Sequence, residues 1–213
     1  MLKLDALGQH SMILHTPSVV FLPGAGGSPE FWEPVADLLP ANWGRTLMGW
    51  PGAGEQPHDP RINSFEDLVA LTQTQIADRC DVIAQSMGGV IAVGLALRCP
   101  EKIRRLVLVA TSGGIDVNSL GAGDWRAGYL ADFPNAAGWI TEQGVDYAMQ
   151  LARVTAPTLL LCGDQDLISP IAVGKRLAEL LPNSRLKVLH GGTHAVAVEQ
   201  PDAVAEAIIE HLS

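Results

Sequence analysis

Four short, almost uninterrupted apolar runs constrain this chain more than any other feature: Ser18-Val19-Val20-Phe21-Leu22, Asp81-Val82-Ile83-Ala84, Leu106-Val107-Leu108-Val109 and Thr158-Leu159-Leu160-Leu161. A strand with one wet face alternates polar and apolar residues. A strand lacking that alternation is covered on both faces, which is the signature of a buried parallel sheet. Arg45-Thr46-Leu47-Met48 and Leu186-Lys187-Val188-Leu189 are weaker members of the same set. Helical patterns lie between the runs. Ser28-Pro29 reads as an N-cap followed by proline at the first helical position, opening a helix to about Leu39. Ser64, with Asp67 at the third helical position, opens a second to about Arg79. A Gly-, Ala- and Val-rich segment runs from Met87 to about Cys99, where Pro100 ends it. Ser169-Pro170 opens a helix to about Leu181, and Asp202 to Leu212 forms the last. Repeated strand–helix alternation requires parallel pairing through right-handed crossovers, so a three-layer α/β/α sandwich is predicted. Residues 2–16 are expected to add a short antiparallel hairpin at one edge.

A chain of 213 residues fits one domain, residues 1–213, and its 17% charged content suits a chain with much buried sheet. One stretch breaks the rhythm. Residues 112–157 separate two strong strands and carry Trp125, Tyr129, Phe133, Trp139 and Tyr147 among several glycines. Connections of that length in a compact domain tend to be functional, so this segment reads as an insertion with a helix or two of its own.

The formal net charge of −9 argues against nucleic acid as a partner, since phosphate binding needs clustered Lys and Arg and no basic run exceeds Arg104-Arg105. The acidity itself reads as a contribution to solubility. The three cysteines, Cys80, Cys99 and Cys162, are odd in number and widely spaced, so no disulfide framework is expected. The opening MLKLDALGQH has no long apolar stretch after its lysine and is not read as a secretory signal. No run approaches the roughly 18 apolar residues of a membrane span. A cytoplasmic protein that does not engage membrane is therefore expected.

Four segments carry the chemistry. Ala84-Gln85-Ser86-Met87-Gly88-Gly89 follows a strand and opens a helix. A sharp strand-to-helix turn lifts a serine hydroxyl away from its own backbone, at the cost of strained dihedrals, and needs small residues where strand and helix approach. The same turn directs the Met87 N–H from the helix N-terminus toward a developing oxyanion. A serine that merely caps a Gly-rich helix would give the same pentapeptide. Leu22-Pro23-Gly24-Ala25-Gly26-Gly27-Ser28 is a glycine-rich loop of the kind that supplies a second oxyanion donor. A phosphate cradle is excluded by Pro29, which stands where GxGxxG needs its last glycine, and by the lack of GK[ST]. Gly163-Asp164-Gln165-Asp166 and His190-Gly191-Gly192-Thr193-His194 each follow a predicted strand. A serine nucleophile needs a base, and the base needs a carboxylate to hold its tautomer. Two glycines between the histidines oppose a helix, and HExxH is absent, so zinc is not expected. By residue type alone Asp164 and Asp166 are equal candidates for the acid.

With LPGAGGS at 22–28, WPGAG at 50–54, AQSMGG at 84–89, GDQD at 163–166 with Pro170, and GGTHAVAVEQP at 191–201, the chain resembles the α/β-hydrolase fold superfamily over nearly its whole length. The resemblance implies a mostly parallel sheet of about eight strands, with a cap inserted after the sixth at 112–157. It implies Ser86 as nucleophile, His194 as base and Asp166, three residues past the strand-end glycine, as acid. Ala25 and Met87 are implied as backbone oxyanion donors. The chain departs from the family at Pro23, where histidine is usual, and at Gly49, where aspartate is usual.

The expected reaction is acyl transfer to water, with no metal and no organic cofactor. Its expected substrate is a small molecule, a carboxylic ester or thioester of a small, fairly apolar acid, with Trp125, Tyr129 and Trp139 lining the acyl pocket. The same triad on the same fold also serves carbon–carbon hydrolysis, perhydrolysis or a lyase reaction, or survives in a non-catalytic receptor, since fold does not fix function. Turnover of generic p-nitrophenyl esters separates these. The oligomeric state is not legible in the sequence.

Overall fold

The computed structural model describes residues 17–76, 78–142 and 144–213, together with the backbone of two short strands, Lys3–Leu4 and His10–Ser11. These are β1 and β2, an antiparallel pair with Lys3 opposite Ser11. The main sheet comprises β3 (Ser18–Leu22), β4 (Gly44–Leu47), β5 (Cys80–Gln85), β6 (Ile103–Val109), β7 (Thr158–Gly163) and β8 (Ser184–Leu189). Its order is β4-β3-β5-β6-β7-β8, with every neighbouring pair parallel. The four apolar runs are the four inner strands. Among the described residues the main sheet has six strands, fewer than the eight expected, and the N-terminal pair forms a ladder of its own instead of extending an edge. The edge strands β4 and β8 are part-exposed and carry polar residues, which blunts both edges without an added hairpin. The rest of residues 1–16 lies outside the description.

Side-chain alternation divides the core into two layers. Val19, Phe21, Ile83, Val107, Val109, Leu159 and Leu161 face one side. They pack against α1 (Glu33–Ala36), α7 (Val196–Glu199) and α8 (Pro201–Leu212). Val20, Leu22, Val82, Ala84, Leu106, Leu108 and Leu160 face the other. That layer holds α2 (Phe65–Gln75), α3 (Met87–Arg98), α6 (Ile171–Leu180) and two short helices of residues 112–157, α4 (Arg126–Asp132) and α5 (Trp139–Glu142). Helix α3 is buried from Met87 to Ala96, which explains why it shows no polar face in the sequence.

The helix starts refine the expectations. Ser64 caps α2 as expected: its hydroxyl accepts from the Asp67 N–H at 3.1 Å and donates to the Asp67 carboxylate at 2.9 Å. The helix stops at Gln75, short of Arg79. Ser28 stands at the cap position, but its hydroxyl bonds to the Glu30 carboxylate and caps no N–H. Pro29–Trp32 is a 3₁₀ turn that passes into α1, because Pro34 has no N–H with which to continue an α-helical ladder from the preceding turn. Pro170 takes the cap position of α6, one residue later than expected, and the Ser169 N–H donates to Asp166.

The three cysteines are free and buried, and burial pushes the thiols of Cys80 and Cys162 up to about 12 and about 11. The Arg104-Arg105 pair is structural. Arg104 ion-pairs with the fully buried Asp81, and both arginines donate to the Leu212 carbonyl at the end of α8. No helix among the described residues is long and apolar enough to cross a membrane.

Candidate active site

The turn from β5 into α3 holds Ser86 at φ 51° and ψ −120°, a conformation that L-residues adopt at a cost of roughly 1–3 kcal/mol. The surroundings over-determine it. The Ser86 N–H donates to the Val109 carbonyl at 3.0 Å. The Ser86 carbonyl accepts from the Gly89 N–H at 2.9 Å and from the Thr111 hydroxyl at 2.6 Å. A Cβ added to Gly88 would lie 2.5 Å from the carbonyl oxygens of Leu22 and Pro23, and one on Gly89 would lie 2.4 Å from Thr111 Oγ1. Only glycine fits at either position without displacing backbone or Thr111. Ala84, fully buried in β5, shows that one methyl is accommodated on the strand side.

His194 and Asp166 arrive from the loops after β8 and β7. His194 Nε2 lies 2.9 Å from Ser86 Oγ, and His194 Nδ1 lies 2.9 Å from Asp166 Oδ2. A carboxylate only accepts, so Nδ1 carries the proton and Nε2 is left to accept from the serine hydroxyl. Asp166 Oδ1 also accepts from the N–H groups of Ile168 and Ser169, each at 2.8 Å. Burial works to raise the Asp166 pKa, but the His194 and backbone hydrogen bonds outweigh it and leave the carboxyl below its ordinary value. Asp166 is therefore ionised at neutral pH.

Two further side chains set the histidine loop. Gln85 Nε2 donates to the His194 carbonyl at 3.1 Å. Glu199 accepts from the Thr193 N–H at 3.1 Å and from the Thr193 hydroxyl at 2.7 Å. Gln85 and Thr111 gave no usable signal in the sequence. Gln85 is a variable position of the serine motif, and Thr111 is a common residue just past a strand end.

The second Asp–His pair stands beside the first and does not reach the serine. Asp164 accepts from His190 Nδ1 at 2.6 Å and from the Gly191 N–H at 2.7 Å. The side chain of His190 is 97% exposed, whereas that of Asp166 is fully buried. The ambiguity between the aspartates is thus resolved geometrically: Asp166 meets His194, and Asp164 meets His190.

A cleft of about 1000 Å³ opens over Ser86 and His194. The glycine-rich loop forms one wall. A Cβ on Gly24 would lie 3.2 Å from the Ser86 Cβ, so the loop runs close over the nucleophile. Neither the Ala25 N–H nor the Met87 N–H has a hydrogen-bond acceptor among the described residues. Phe31, Trp125, Tyr129, Phe133, Leu167 and Ile168 supply apolar surface. Glu30, Glu55, Asp124 and Asp132 stand around the cleft, with no lysine or arginine in its lining. Trp125 and Tyr129 line this cleft, and Trp139 does not. It is 8% exposed and packs edge-on against Phe65 at the start of α2, with ring centroids 5.6 Å apart. The apolar surface of α2 competes for this ring and takes it away from the cleft.

Residues 19–207 match the sequence profile of the Alpha/beta hydrolase family, and the chain belongs to that family. It is 28% identical, over 88% of its length and 90% of the relative's, to the pimeloyl-[acyl-carrier protein] methyl ester esterase of Neisseria meningitidis serogroup C. It is 24% identical, over 92% of each chain, to a protein of Stutzerimonas stutzeri provisionally described as the carbamate hydrolase RutD. That alignment runs to 243 positions, so it includes residues of the relative that have no counterpart in this chain. Among solved structures, a hydrolase from Pseudomonas aeruginosa superposes with a TM-score of 0.77 at 21% identity, covering 100% of this chain and 98% of the other.

Proposed function

We propose that this protein hydrolyses a neutral carboxylic ester or thioester of a small, fairly apolar acyl group through an acyl-enzyme on Ser86. The observation that carries the reading is the unbroken relay from Asp166 through His194 to Ser86 Oγ at the floor of an apolar cleft. His194 Nε2 takes the hydroxyl proton as Ser86 Oγ attacks the carbonyl carbon. Asp166 stabilises the imidazolium that forms. The N–H groups of Ala25 and Met87 receive the oxyanion, a contribution worth roughly 10²–10³ in rate per donor. His194 then protonates the leaving alcohol or thiol, and the same residue activates water to release the acid. In this reading residues 112–157 act as a small cap, with Trp125 and Tyr129 against the acyl chain.

The four carboxylates around the cleft refine the substrate class. An anionic substrate meets like charge that only Arg126, paired with Asp124 at 3.2 Å, offsets, whereas a neutral or cationic one meets no such repulsion. All four carboxylates are solvent-exposed, so the discrimination is screened by salt. An alkyl ester should exceed its half-acid analogue of equal length by roughly tenfold in kcat/KM at low ionic strength, narrowing at high salt. Equal rates for the two would remove the charge argument.

The decisive experiment is labelling with a fluorophosphonate. Native protein should be modified at Ser86, and Ser86→Ala should lose both labelling and ester turnover, the latter by roughly 10⁶. Labelling that persists in the alanine variant overturns the assignment. Binding of one metabolite with no turnover on a broad ester panel would instead favour a receptor.

A further inference from the structure

The inserted segment reaches the glycine-rich loop through one hydroxyl. Tyr129 on α4 is 8% exposed although its neighbours Gly128 and Leu130 are open to solvent. Trp125 packs edge-on against its ring at 5.5 Å and Phe133 packs at 5.2 Å, fixing the ring plane. Its Oη donates to the Ala25 carbonyl at 3.0 Å and accepts from the Gly54 N–H at 2.9 Å. Burial holds the phenol above its ordinary pKa, so the donor keeps its proton.

Ala25 stands between Gly24 and Gly26. Peptide planes flanked by glycine rotate with little steric resistance, and a Cβ on Gly26 would meet nothing within 4 Å. Packing therefore does not hold the outer side of this loop. Its two ends are anchored elsewhere: Trp50 Nε1–H donates to the Pro23 carbonyl at 2.7 Å, and the Trp50 N–H donates to the Gly27 carbonyl at 2.9 Å. The Gly27 N–H donates to the Gly24 carbonyl at 3.0 Å, closing a turn on the peptide that carries the Ala25 N–H, and the Tyr129 hydroxyl holds the following peptide through the Ala25 carbonyl. Gly54, at φ +55°, brings the second loop so close that a Cβ there would lie 2.1 Å from the Gly26 carbonyl oxygen.

Building on the acyl-enzyme reading, we propose that Tyr129 is a positioning residue for the oxyanion loop. By bridging the Ala25 carbonyl and the Gly54 N–H, its hydroxyl fixes the Ala25–Gly26 peptide and, together with the Gly27-to-Gly24 turn bond on the preceding peptide, keeps the Ala25 N–H aimed at the reacting carbonyl. The insertion then completes the reactive geometry as well as walling the cleft. A donor held in place before reaction costs no reorganisation when charge develops, and a misaligned one loses transition-state binding more than ground-state binding.

The test is Tyr129→Phe, which deletes only the oxygen. The kcat for an ester should fall about 10–100-fold with KM within about threefold, a smaller loss than removing a donor outright. A thionoester of the same acid adds a control that general loosening would not satisfy. Its sulfur is a poor acceptor, so the ester-to-thionoester rate ratio should fall in Tyr129→Phe. An unchanged kcat, or an equal fall for both substrates, overturns the proposal. Should Tyr129→Phe fail to fold, Tyr147→Phe leaves Tyr129 as the sole tyrosine of the two in the chain. Replacing it with mono- and difluorinated tyrosine grades the acidity of the hydroxyl without removing it. A graded change in kcat at constant KM supports the role, and an unresponsive kcat overturns it. Wild-type protein that resists fluorophosphonate at Ser86 sinks the acyl-enzyme reading and this role with it. A labelled wild type alongside a Tyr129→Phe variant labelled at the same rate sinks this role alone.

Discussion

The loops after β7 and β8 contain two aspartate–histidine pairs of the same chemistry, built from Asp166 with His194 and Asp164 with His190. The second has the shorter contact, 2.6 Å against 2.9 Å. By pair geometry alone it would be the better candidate for a catalytic dyad. Burial and a third partner separate them. The Asp166 side chain is fully buried, accepts two backbone N–H bonds besides the histidine, and its histidine reaches Ser86. The His190 ring is 97% exposed and has no nucleophile on its far nitrogen among the described residues. A charged hydrogen bond in water tunes little, whereas the same bond in a dry site fixes a tautomer and an orientation. The difference teaches that a site of this kind is recognised by what the imidazole reaches, more than by how tightly its carboxylate is held.

Asparagine at each aspartate tests that contrast most strongly. Asp166→Asn should lower kcat by about 10⁴, because the neutral amide no longer selects the Nδ1–H tautomer. Steady-state turnover of the best ester, with thermal melting as a check on folding, measures it. An Asp166→Asn enzyme within tenfold of wild type would erase the distinction drawn here.

A second contrast lies in acid stability. The folded-state pKa of Asp166 sits below its ordinary value of 3.8, so its stabilising contribution is complete above that value and is lost as pH falls through the lower, folded one. The melting temperature of wild type should fall as pH drops below about 4. Asp166→Asn should show a shallower fall over the same window. Asp164 is also depressed, chiefly by its hydrogen bond to His190, and acts with the same sign. Parallel melting curves for wild type and Asp166→Asn between pH 5 and pH 2 would show that its depression has no thermodynamic weight.

The smallest effect is expected at the outer pair. Asp164→Asn should change kcat by less than about threefold, since surface ion pairs contribute little and none of its partners touches the serine. A loss beyond tenfold would mean that the Asp164 link to the Gly191 N–H sets the path of the histidine loop, and the two pairs would then work as one unit.

Much of this was legible from local signals. The uniform apolar runs gave the inner strands, because a residue covered on both faces has no use for a polar side chain. Small residues after Ser86 marked the tight turn, because Gly88 and Gly89 have no room for a Cβ. Assignments failed where distant surfaces compete. Trp139 was expected at the cleft for its size and apolarity, but the face of α2 offered by Phe65 is an equally good apolar partner. Sequence carries no measure of which surface lies nearer. The same holds for Gln85, whose bond to the His194 carbonyl spans 109 residues of chain.

The sequence by itself therefore determined the layer order, the existence of the inner strands and the serine turn, since each follows from periodicity or from sterics within a few residues. Only the tertiary structure decided which aspartate meets which histidine and where the sheet ends. It alone brought the Tyr129 hydroxyl to Ala25, 104 residues away. Those outcomes depend on the positions of elements distant in the chain, and a hydrogen bond requires its partners within about 3 Å, a tolerance that no local pattern can encode.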